Sequence, residues 1–111
     1  MRKIYKYDLN YHSVPELVRL PVGAEIIDFQ IQNDAFKLWA LVDPKAKEEK
    51  RVFVIAMTGQ EIPWKVEKSF GTRIIESTGI VVHLFELKEV KDGKDPLLAN
   101  DPLKDDRLNK N

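Results

Sequence analysis

An all-β fold is predicted: a small antiparallel sandwich or partly open barrel of about seven short strands. Three observations predict it. Apolar residues recur mostly at every second position, which is the period of a strand whose alternate side chains face opposite ways. Turn-forming residues such as Asn33-Asp34, Asp43-Pro44, Thr58-Gly59 and Thr78-Gly79 punctuate those runs. No stretch carries the 3.6-residue apolar period of a long helix.

The elements follow in order. Residues 3–9 place Tyr5, Tyr7 and Leu9 on one strand face, and Asn10, Ser13 and Pro15 then break the pattern. Residues 16–20 form a short second strand or turn, ended by Pro21-Val22-Gly23. In residues 24–32, Ile27, Phe29 and Ile31 alternate with Asp28, Gln30 and Gln32. Asn33-Asp34 tolerates left-handed backbone and returns the chain as residues 36–42, completing a hairpin. That return strand is apolar on both sides, with Phe36, Leu38, Ala40 and Val42 opposite Trp39 and Leu41. Such a pattern predicts a central strand covered on two faces.

The run 45–51 mixes lysine, arginine and glutamate and reads as a solvated connector. Residues 52–58 are a further strand. Residues 64–70 read as an edge strand, or as a loop anchored by Trp64, Val66 and Phe70, with Gly71 available for a bulge. Residues 72–77 and 80–88 pair across Thr78-Gly79. Composition changes near Val90. Residues 1–90 are therefore the predicted β domain, and 91–111 a polar tail. That tail is either flexible or a docking arm using Leu97, Leu98, Leu103 and Leu108.

Composition narrows the chemistry. The chain has 111 residues, of which 43% are hydrophobic, enough for one core. Lysine plus arginine and aspartate plus glutamate both number 18, so no net charge draws it to nucleic acid. With no cysteine there is no disulfide, thiolate ligand or thiol nucleophile. No apolar run reaches the roughly 20 residues of a membrane span, and the expected location is the cytoplasm.

No catalytic motif emerges. Five glycines make neither a phosphate loop nor a dinucleotide fingerprint, and no serine sits in a nucleophile elbow. Two histidines without cysteines do not supply a usual metal-ligand set. No cofactor, no metal and no enzymatic activity are expected. His83 shares a strand face with Val81 and Phe85, and reads as a core or interface residue whose ring nitrogens find partners. Glu76 is its candidate neighbour. The candidate binding residues are His83, Glu86, Arg73, Arg51 and Trp64: the arginines as anion-binding groups, Trp64 as an amphipathic anchor.

Several stretches occur together in a fixed order: Tyr5-Lys6-Tyr7-Asp8-Leu9, Leu20-Pro21-Val22-Gly23-Ala24, Leu38-Trp39-Ala40-Leu41-Val42-Asp43-Pro44, Thr58-Gly59-Gln60-Glu61-Ile62-Pro63, Gly71-Thr72 and Val82-His83-Leu84-Phe85-Glu86. This set resembles a family of small proteins of unassigned function encoded by tailed bacteriophages and prophages, over roughly residues 3 to 88. The resemblance implies a phage product acting in the bacterial cytoplasm and transfers no catalytic residue. The expected function is that of a non-enzymatic accessory protein binding a host protein, in host takeover or anti-defence. The alternatives are a protein that sequesters a small molecule or nucleotide signal, and a structural or assembly component of the particle. The expected partner is accordingly a host protein or a second copy of the chain, with a small nucleotide as the alternative; neither membrane nor nucleic acid is expected.

Overall fold

The computed structural model describes residues 1–88; the tail expected at 91–111, with its leucines, lies outside the described residues. Seven strands run β1 (Lys3–Leu9), β2 (Glu16–Pro21), β3 (Glu25–Gln32), β4 (Ala35–Val42), β5 (Glu48–Met57), β6 (Val66–Ile75) and β7 (Ile80–Leu87). They form two antiparallel sheets of order β1-β4-β3 and β2-β5-β7-β6. Each sheet keeps its own edges, so the fold is a sandwich and not a closed barrel.

The alternation read from the sequence builds the core. Leu9, Phe29, Leu38, Ala40 and Val42 from the three-stranded sheet meet Val18, Leu20, Phe53, Ile55, Val82 and Leu84 from the four-stranded one. Burial of each large side chain contributes about 1.5–3 kcal/mol, most of it offset by chain entropy. The β3–β4 turn places Asn33 and Asp34 at φ 53° and 62°, the left-handed pair that a tight hairpin needs.

Two arginines tie the sheets together. Arg51 on β5 makes paired hydrogen bonds to the Glu86 carboxylate at 2.7 and 2.8 Å, and donates to the Ala24 carbonyl across the sandwich at 2.6 Å. Arg73 on β6 donates to the Phe29 carbonyl at 2.9 Å, pairs with Asp28, and lies over the Phe29 ring. It closes the side where β3 and β6 meet, and satisfies a carbonyl of the β3 edge that no strand reaches. At the opposite side Glu16 is buried. Its carboxylate accepts from the Asn10 and Tyr11 backbone N–H groups and from the Asn10 amide, fixing the crossing from β1 to β2.

Several expectations are corrected. The charged run is not all connector: β5 begins at Glu48, because β2 pairs with it from Glu48 to Phe53. The segments expected at 64–70 and 72–77 are one strand, β6, which absorbs two register shifts on either side of Ser69. Gly71 sits in the second shift at φ 108°. Ile27 does not share the inner face of Phe29, because a bulge between Ile26 and Asp28 turns it outward. Strand β4 is central in its sheet, but among the described residues only one of its faces is covered.

Candidate interaction surface

The five residues singled out in the sequence do not converge. Arg51 and Glu86 come together as the inward-facing ion pair described above, their side chains 15% and 12% exposed. The Glu86 hydrogen bonds hold the guanidinium charged, and its pKa is raised despite burial. Arg73 faces Val82 on β7, four residues from Glu86, or roughly 13 Å along the strand. Both arginines are committed to carboxylates and carbonyls of their own chain. A groove of about 320 Å³ beside Arg51 also holds Lys50, Lys68, Glu49 and Glu67, so its charges are mixed.

His83 and Trp64 lie on the other, outward face of the four-stranded sheet. His83 Nε2 is 2.7 Å from Thr58 Oγ and Nδ1 is 2.9 Å from Thr72 Oγ. Hydroxyls donate and accept, so the ring is satisfied in either tautomer. The expected neighbour Glu76 is replaced by Thr72, which the register sets opposite His83. Trp64 packs with Phe85 over Val52, Val54 and Leu87. The segment between β5 and β6 thereby covers part of this outer face. Among the described residues no cluster of three or more ligating side chains is placed to hold a metal ion, and no helix is long and apolar enough to cross a membrane.

Among the described residues, none gives the outer face of the three-stranded sheet such a cover. Ile4 on β1 stands opposite Leu41 on β4, and Trp39 is the next outward residue of β4. The bulge adds Ile27 beside them. Ile4 is 62% and Ile27 52% exposed, while Trp39 and Leu41 are half-buried. Ile4, Ile27, Trp39, Asp28 and Gln30 line a shallow hollow of about 310 Å³. Its surroundings are polar: Arg2 pairs with Glu25, Lys37 with Asp8 at 2.5 Å, and Lys6 with Gln32. An apolar centre with a Trp, ringed by charge, is the composition of a protein-binding hot spot. Sequence reasoning assigned Trp39 and Leu41 to the core and Ile27 to the inner face. The signal that pointed outward was the double-sided apolar pattern of β4, which needs either a cover or a partner.

Residues 1–94 match the family model described as a domain of unknown function, DUF7352. No curated protein and no solved structure matches the chain.

Proposed function

We propose that this chain, which belongs to the DUF7352 family, is a non-enzymatic protein-binding module that docks on its target through the outer face of the three-stranded sheet. The observation that carries this reading is the Ile4, Ile27, Trp39 and Leu41 surface, which no described residue covers, at a place where the other sheet recruits Trp64 as cover. Large contiguous apolar exposure rimmed by polar groups marks an interaction site. The rim pairs Arg2, Lys6 and Lys37 with Glu25, Gln32 and Asp8, which suits a mixed protein surface better than a uniformly charged polymer. The resemblance of the ordered pattern to phage-encoded proteins favours a setting in which the target is a host protein in a bacterial cytoplasm. The nucleotide-sequestering alternative has less support, since Arg51 and Arg73 already bind carboxylates of their own chain.

The test is a titration of a purified target. Proteins captured from a bacterial host extract are purified and measured against wild type, Trp39→Ala and Ile74→Ala. Ile74 is an exposed apolar residue of the other sheet and serves as the control. The proposal expects at least about tenfold weaker binding for Trp39→Ala and no change for Ile74→Ala. Equal binding by all three, or no target, removes it.

A further inference from the structure

The four sheet edges among the described residues are guarded unequally. The β3 edge carries a bulge and has the Phe29 carbonyl capped by Arg73. The β6 edge is broken by two register shifts around Ser69. The β2 edge is six residues long, lies just beyond Pro15 and ends at Pro21. Bulges, short length and proline are the devices that keep an edge from pairing with another chain. Strand β1 has none of them. It pairs with β4 in unbroken register for seven residues, and among the described residues no strand pairs with its other side, which presents backbone donors and acceptors.

Its side chains are complementary to themselves. Directly opposite residues of an antiparallel pair share a face, so a two-fold pairing of β1 with a second β1 centres on one residue. With Tyr7 on the axis, Lys6 stands opposite the other copy's Asp8, and Asp8 opposite its Lys6, on the outer face. Tyr5 then stands opposite Leu9 on the inner face. Centring on Lys6 would set like charges against each other and face Ile4 with Asp8. Centring on Tyr5 would face Ile4 with Lys6, and its one opposite-charge match, Arg2 with Asp8, would use a residue that lies outside the strand and pairs with Glu25 of its own chain. Lys6 and Asp8 are both exposed, and the Asp8 side chain remains 63% exposed even with Lys37 on one oxygen. Lysine on an edge is ordinarily a guard; in this register it is matched.

We propose that β1 is a homodimerisation edge, pairing antiparallel with β1 of a second copy about Tyr7 to make one six-stranded sheet. The two Trp39 faces then lie side by side on the same surface of that sheet. The pairing needs no other protein, so it stands or falls separately from the docking reading.

The experiment is light scattering of the purified full chain over a concentration series, with two charge reversals and two cysteine probes. Wild type goes from one to two chain masses as concentration rises. Lys6→Asp and Asp8→Lys each weaken dimerisation about tenfold or more, and an equimolar mixture of the two restores a one-to-one dimer. Because the chain has no cysteine, Tyr7→Cys gives a disulfide-linked dimer on mild oxidation, while Tyr5→Cys does not. A wild type that stays monomeric to millimolar concentration overturns the proposal. So does a dimer indifferent to both charge reversals, or one that Tyr5→Cys cross-links and Tyr7→Cys does not. Circular dichroism of each variant confirms that it is folded.

Discussion

Each sheet of the sandwich carries a tryptophan on its outer face, and the two differ in what they do. Trp64 belongs to the segment between β5 and β6 and folds back over Val52, Val54 and Leu87, making a second small core. Trp39 belongs to β4 itself and stands between Lys6 and Asp28 of the flanking strands, with Ile4, Ile27 and Leu41 as its apolar neighbours. Among the described residues, one apolar face is closed by the chain and the other is left open. The contrast separates residues that hold this molecule together from residues available to meet another one. Burial alone does not make that separation, because both tryptophans are half-buried.

The contrast can be attacked in order of effect. The covered face depends on β5 and β7 holding position, which the Arg51–Glu86 pair helps to secure. Arg51→Ala leaves a largely buried carboxylate without its cation, and should cost about 3–5 kcal/mol in urea unfolding. Replacing both residues together (Arg51→Met, Glu86→Leu) should recover most of that loss. Trp64→Ala uncovers the small core and should cost about 3 kcal/mol, at the low end for a large aromatic because Trp64 is half-buried. Trp39→Ala, by contrast, should change stability by less than about 1 kcal/mol, as an exposed-face substitution does. Equal destabilisation by the two tryptophan variants would erase the distinction.

The smallest effect sharpens the comparison through pH. Burial pushes the Glu16 carboxyl above its ordinary value, although the Asn10 and Tyr11 hydrogen bonds oppose the rise. A carboxyl raised by folding holds its proton more tightly in the fold. Its contribution is present below the unfolded value and lost as pH rises through the folded one. Glu16→Gln keeps the two backbone hydrogen bonds on its carbonyl oxygen, and an amide flip of Asn10 satisfies the third. This variant should therefore gain on wild type as pH rises from below the ordinary glutamate range, read as the difference in thermal midpoint. Asp28 acts with the opposite sign. Its burial is outweighed by hydrogen bonds from Gln30 and Arg73, the carboxyl is lowered, and the stability it contributes is lost as pH falls.

Most of the fold was legible because it is written in local chemistry. The inner faces of β4, β5 and β7 alternate without interruption, and the Asn33-Asp34 and Thr78-Gly79 turns carry their own backbone preferences. What was not legible depends on register between distant strands. Ile27 looks inward in the sequence because an alternating pattern has no symbol for a bulge. The neighbour of His83 depends on the shift around Gly71, which brings Thr72 and not Glu76 to its side. Arg51 reads as part of a solvated run because its partners, Glu86 and Ala24, lie 35 and 27 residues away. The open face was half-legible. The apolar doubling of β4 is plain, but whether the chain covers it depends on where Trp64 goes.

The order of pairing bears on how the molecule is made. Strands β3 and β4, and β6 and β7, are neighbours in sequence, whereas β1 pairs with β4 and β2 with β5. A chain emerging from the ribosome therefore extrudes its first two strands before either has a partner. Closing these long loops costs more entropy than closing a hairpin, which predicts that local pairs form first and β1 and β2 join later, an order that φ-values would read. Until β4 and β5 arrive, Tyr5, Tyr7, Leu17 and Leu20 are exposed on an unpaired nascent segment, and that interval is when this protein is most open to chaperones and to aggregation.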